Sequence, residues 1–171
     1  MVPIHRYLPM FLWLKNTEAY DKELGKDYVP KDAADLKRVM QALTKPPNFY
    51  AMGAAQGTAL WLDQFAAIFG APNGWKLDPS GKLIKNWETP EYKAATGYVR
   101  DLWTAGVYHP NSTNYASGVV ARADFAGGKW AMWFDPINGW QDAWRQALTL
   151  HTPPFNVGLI SPFSAVAGQK P

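Results

Sequence analysis

The sequence predicts an α/β fold in which a mainly parallel sheet is flanked by helices and carries an inserted β-hairpin. Three observations predict it. Short apolar runs alternate with helical patterns of about ten residues or more. Residues 125–144, FAGGKWAMWFDPINGWQDAW, read as a helix end, a Gly-Gly break, a strand, an Asp-Pro turn and a new helix. Asp78-Pro79-Ser80-Gly81 puts proline at the second position of a turn, between Trp75-Lys76-Leu77 and Lys82-Leu83-Ile84.

The elements follow in order. Pro3 and Pro9 keep the start extended, and Met10-Phe11-Leu12-Trp13-Leu14 reads as a buried strand. Asn16 or Thr17 caps a helix that runs to Leu24 and stops at Gly25. Asp32 caps the next, with Asp35 three residues on; Leu36, Val39, Met40 and Leu43 form its apolar face, and Pro46-Pro47 ends it. Phe49-Tyr50-Ala51-Met52 is a strand, followed by a small-residue loop from Gly53 to Gly57. Thr58 caps a helix with Trp61, Phe65, Ile68 and Phe69 at helical spacing, closed by Gly70. After the hairpin, Thr89 caps and Pro90 opens the clearest helix, whose inward residues are Tyr92, Ala95, Val99, Leu102 and Trp103. A short helix over 117–126 leads to the strand Trp130-Ala131-Met132-Trp133-Phe134. A helix from Asn138 to near Leu150 and a last strand over 155–160 complete the pattern, with a small, polar tail from Ser164.

Composition narrows the function classes. The chain has 171 residues, 47% hydrophobic and 18% charged, enough for a sizeable core. The net charge is +3, but lysines such as Lys15, Lys22 and Lys26 alternate with acids such as Glu18, Asp21 and Glu23. Such an interleaved run is a solvated face, so no nucleic-acid partner is expected. There is no cysteine, which excludes disulfides and thiol chemistry. No apolar run approaches the ~20 residues of a membrane span. Pro3, His5, Arg6 and Pro9 interrupt the start, so it does not read as a signal peptide. At Lys45-Pro46-Pro47 the composition shifts from charged to aromatic-rich, and a boundary is expected there. Nine tryptophans stand out; most are expected to fill the core, leaving one or two for a binding surface.

Several blocks, in order, resemble the extracellular solute-binding proteins of ABC importers, in the maltose-binding-like group. They are LWLKNTEAYDKELG, VPKDAADLKRVMQAL, FGAPNGWKLDPSGKLIKNWETPEYKAATGYVRDLWTAGVYHPN and FAGGKWAMWF. Lys31-Asp32 departs from the Thr-Trp pair of that group's second block. The resemblance implies a periplasmic-binding-protein-like lobe, part of a two-lobe protein that captures a solute between its lobes. It assigns 1–45 to the end of the first lobe and the hinge-proximal segment, and 46–171 to an incomplete second lobe. It also implies a membrane permease as partner, an extracytoplasmic location as a lipoprotein, no cofactor and no catalysis. Carbohydrate is the expected solute, with a peptide-like solute as the alternative.

The site is expected where strands end, since open α/β sheets present ligands at the carboxyl edge. Trp140, one turn into its helix, either stacks on a sugar or packs that helix on the sheet. Asn138 is a cap or a ligand contact. Asp135 accepts sugar hydroxyls or serves the turn before Pro136. Gln56 and Trp61 follow the Phe49 strand at the same kind of edge, Gln56 as a hydroxyl partner and Trp61 by its spacing as core. Trp133 alternates with Phe134 and belongs mainly to the core. By resemblance, Arg6 and His5 approach the hinge, and Arg6 reaches toward the cleft. A carbohydrate-active enzyme is the rival class, with Asp124, Asp135 and Asp142 as its only carboxylate candidates. His5, His109 and His151 are isolated, so no metal site is indicated.

Overall fold

A computed structural model describes residues 12–168. Strand β1 (Leu12–Asn16) passes directly into α1 (Thr17–Leu24), because the Asn16 side chain accepts a hydrogen bond from the Ala19 amide and caps the helix. Asp32 caps α2 (Ala33–Leu43) by accepting from the Asp35 amide. Leu36, Val39, Met40 and Leu43 are buried, as their spacing predicts. Then come β2 (Tyr50–Met52), α3 (Leu62–Ile68), and the hairpin β3 (Trp75–Leu77) and β4 (Leu83–Lys85). The remaining elements are α4 (Pro90–Thr104), α5 (Gly118–Ala126), β5 (Trp130–Asp135), α6 (Ile137–Leu150) and β6 (Val157–Leu159). Met10 and Phe11 of the expected first strand lie outside the described residues.

The fold class is α/β with a separate two-stranded hairpin, as expected, but the sheet is mixed rather than mainly parallel. Its order is β2-β5-β1-β6. Only β2 and β5 pair in parallel. β1 is antiparallel to both β5 and β6, with Leu14 opposite Trp133 on one side and Leu159 on the other. Strands β2, β5 and β6 therefore share one direction, and β1 is inserted among them the other way. An apolar run carries no information about direction, which is why the alternation of strands and helices did not show it.

The core is continuous. Leu14, Tyr20, Leu36 and Val39 belong to the same buried cluster as Phe65, Val99, Trp130, Met132 and Phe155. The shift in composition at residue 45 thus does not separate two cores. Trp13 sits at the centre of an aromatic cluster, 4.1 Å from Phe134 and 5.6 Å from Phe65 in edge-on packing. Lys15 is buried beside it in sequence; its ammonium is paired with Asp21 at 2.6 Å and lies over the Tyr20 ring.

The expected N-terminal end of α3 is corrected. Thr58 does not cap; its hydroxyl donates back to the Ala55 carbonyl at 2.7 Å. Ala59, Leu60 and Trp61 all have positive φ, at 45°, 58° and 66°, and form a left-handed turn before α3 begins. Trp103, expected to face inward from α4, is instead partly exposed.

Candidate ligand site at the carboxyl edge

β5 carries the site because it lies between β2 and β1 and is buried along its whole length. In the parallel register Tyr50 faces Trp130 and Met52 faces Met132, so β2 and β5 leave the sheet at the same end. Two loops share that edge: 53–61 after β2, and Asp135-Pro136 before α6. Leu12 pairs with Asp135, so the N-terminal end of β1 lies at this edge as well.

Asp135 anchors the strand end. Its carboxylate accepts from Arg122 Nε at 2.6 Å and Nη2 at 3.2 Å, and from Trp133 Nε1 at 2.8 Å. Both partners of this two-pronged ion pair are nearly buried, with side chains 12% and 8% exposed. Arg122 Nη1 also donates to Asp142 at 3.2 Å, tying α5, β5 and α6 together. Gly139 is required here, since a Cβ at that position would lie 2.0 Å from Asp135 Oδ1. The missing side chain lets the first turn of α6 close over the carboxylate, where the positive end of the helix favours it.

The indoles behind Asp135 form a wall. Trp61 packs edge-on against Trp133 at 4.8 Å and donates its Nε1 to the Gly53 carbonyl at 2.8 Å. Gly53 abuts the Trp130 ring so closely that a Cβ there would stand 2.4 Å from ring atoms. The next loop residues are held from outside: the Ala54 amide donates to Ser112 Oγ and the Gln56 amide to the Tyr115 carbonyl.

Asp135, Trp133 and Trp61 therefore converge, but as a buried support without a free face. Asp135 spends its acceptors on protein donors. Gln56 in the 53–61 loop and Asn138 in the first turn of α6 are exposed. Asn138 does not cap α6: the helix begins at Ile137 behind Pro136, without a side-chain cap. Trp140 is half-buried and donates its Nε1 to the Val157 carbonyl at 2.9 Å, fastening α6 to β6. One edge of the ring is thus committed to packing, and the remainder borders a groove on α6. Arg6 and His5 lie outside the described residues. Arg122 escaped sequence reasoning; as the only charged base in α5, four residues before its end, it was the available signal.

The carboxylates are arranged against acid catalysis. Asp135 and Asp142 share Arg122. Burial works to raise the Asp124 carboxyl, but hydrogen bonds from Lys129 and Tyr115 more than offset it and hold it below the ordinary carboxylate value. A general acid at neutral pH needs the opposite shift. Among the described residues, no three His, Cys, Asp or Glu side chains are grouped to hold a metal ion. None of the described helices is long and apolar enough to cross a membrane.

A mixed sheet with helices on its faces, a strand inserted against the common direction and two loops meeting at one edge define the lobe of a periplasmic-binding-protein fold. Solved structures with this fold match nearly the whole chain. A Thermotoga lettingae ABC transporter solute-binding protein bound to α-D-tagatose is 21% identical with a TM-score of 0.67, over 92% of this chain and 40% of that one. Maltose-bound MalE3 of T. maritima is 19% identical with a TM-score of 0.66, over 94% and 40%. The Thermus thermophilus maltotriose-binding protein is 20% identical with a TM-score of 0.61, over 94% and 38%. The first is a solute-binding protein of an ABC transporter, and the other two carry maltose and maltotriose. The chain spans about 40% of the length of the solved proteins it matches. No protein-family model matches the sequence, and no curated protein matches it.

Proposed function

We propose that this chain supplies one ligand-contacting lobe of a solute-binding protein that feeds an ABC importer, and that the solute is a carbohydrate. The observation that carries the reading is the joint arrival of β2 and β5 at one sheet edge, in a fold whose solved examples hold tagatose, maltose and maltotriose. Gln56 and Asn138 offer amides to sugar hydroxyls, and Trp140 offers the uncommitted part of its indole. Trp133, Trp61 and Asp135 act behind them, fixing the loops in place rather than touching ligand. By the resemblance, Arg6, which lies outside the described residues, belongs to the same site.

In this reading the ligand stabilises a closed arrangement of two lobes, and a membrane permease recognises that form outside the cytoplasm. The resemblance assigns 1–45 to the end of the first lobe and 46–171 to the second, and residues of α1 and α2 pack in the same buried cluster as the remainder. Against the rival glycosidase reading, Asp124 is held below the ordinary carboxylate value, and Asp135 and Asp142 are both paired with Arg122.

The test is calorimetric titration with mono- and oligosaccharides, on this chain and on a longer polypeptide carrying it. Saturable heat without product release supports a receptor. Turnover, or silence from the longer polypeptide across the panel, overturns the proposal. Gln56→Ala combined with Asn138→Ala is expected to weaken binding about tenfold or more, since two polar contacts of ~1 kcal/mol each are removed.

A further inference from the structure

We propose that the outer face of α6 forms a second carbohydrate subsite selective for an acidic saccharide, a sugar bearing a carboxylate. The proposal rests on the sugar reading above and specifies a ligand class for a surface that continues from Trp140. Among the described residues, a groove of about 360 Å³ on this face is lined by Trp140, Gln141, Trp144 and Arg145. That lies within the roughly 300–1,000 Å³ of small-molecule clefts.

The spacing accounts for its chemistry. Residues four apart are neighbours on a helix, so Trp140 with Trp144 and Gln141 with Arg145 make two adjacent rows, one aromatic and one polar. The Trp140 ring is fixed in place by its hydrogen bond to the Val157 carbonyl. Trp144 is 43% exposed, so much of an indole faces water beside it. An indole face matches the C–H face of a pyranose, and the Gln141 amide can both donate to and accept from ring hydroxyls.

Charge selects the ligand. Gln141 and Arg145 are exposed, and neither side chain has a hydrogen-bond or ion-pair partner among the described residues. The one carboxylate between them in sequence, Asp142, is turned to Arg122. The groove therefore contains a planar guanidinium with no counter-charge and no acidic lining. A guanidinium fork binds a carboxylate through two parallel hydrogen bonds, which a neutral sugar cannot supply.

The groove is built entirely from this chain, so the test needs no second lobe. Digalacturonate and its neutral counterpart, galactobiose, are titrated calorimetrically into the protein at low and high salt. The acidic disaccharide is expected to bind about tenfold more tightly, with the preference shrinking as salt screens it. Arg145→Gln is expected to bring the acid-to-neutral ratio to about one, Arg145→Lys to retain part of it, and Trp144→Ala to weaken both sugars. Both positions are exposed, and unchanged circular-dichroism melts establish that the variants fold. Equal binding of the two disaccharides, a preference that survives Arg145→Gln, or no binding of either overturns the subsite. The first two outcomes leave the sugar reading standing, and silence here is separated from its failure by the panel on the longer polypeptide.

Discussion

At the scale of single residues, the firmest feature is the Arg122–Asp135 pair. Replacing Arg122 with Met leaves a buried carboxylate without its charged partner. A loss of about 3–5 kcal/mol is expected in urea unfolding. Arg122→Met with Asp135→Asn recovers much of that loss, and failure of the second substitution to do so would show that the charge itself is not the cause. His109 gives a pH effect. Burial lowers its pKa first, the Lys129 charge adds to that, and Asp124 opposes both. The folded protein thus favours the neutral ring, and the unfolded chain binds a proton more readily, with an ordinary value of about 6.5. Stability from this group is complete above that value and falls as pH drops through it toward the lowered folded value. His109→Gln is expected to flatten the urea midpoint between pH 7.5 and 5.5, relative to the parent. The Asp124 contribution has a different window, because a depressed carboxyl loses its stabilisation only below the ordinary carboxylate range of about 4.

At the scale of elements, the left-handed turn over residues 59–61 matters most. Three consecutive non-glycine residues in that region cost roughly 1–2 kcal/mol each. Tertiary bonds hold it: Tyr108 donates to the Leu60 carbonyl, and Trp61 to Gly53. Backbone strain of this kind gathers at functional loops, and this one borders the carboxyl edge. Ala59 is exposed, so Ala59→Gly relieves strain without losing packing. It is expected to stabilise by about 0.5–1 kcal/mol, reversing the usual sign for alanine to glycine. A lower denaturation midpoint would mean that the turn is not left-handed in solution. The turn also shows where sequence reasoning stops. Caps at Asn16, Asp32 and Thr89 were legible because each supplies a local side-chain acceptor. At Thr58 the same local pattern is present, and contacts from Tyr108, nearly fifty residues away, override it. The edge residues were legible for the same local reason, whereas the commitment of Asp135 to Arg122 was not, because it depends on how α5 crosses β5.

At the scale of the whole molecule, the exposed apolar surface is unusual. Trp75, Leu77 and Leu83 stand 56%, 67% and 59% exposed along the hairpin, and Lys85 lies over both Trp75 and Trp87. Leu148, Leu150 and Leu159 add exposed apolar area on α6 and β6. Patches of this kind favour association. Concentration-dependent self-association is expected in light scattering, weakened by Trp75→Ser with Leu83→Ser; a monomer at all concentrations would contradict it. The α/β class and the hairpin were legible from periodicity and turn chemistry. Sheet order and strand direction were not, because they are decided between segments distant in sequence, as Tyr50 is from Trp130 and Leu14 from Leu159.

The placement of β1 has a temporal consequence. Its two partners arrive only with Trp130–Asp135 and Val157–Leu159, so β1 has no neighbour until more than a hundred further residues have left the ribosome. Synthesis at ~5–20 residues per second spends several seconds or more on the intervening residues, and closing loops this long slows the pairing further. The first strand therefore waits, unpaired and open to chaperones, and a truncation just before β6 is expected to leave a collapsed chain that lacks the finished sheet.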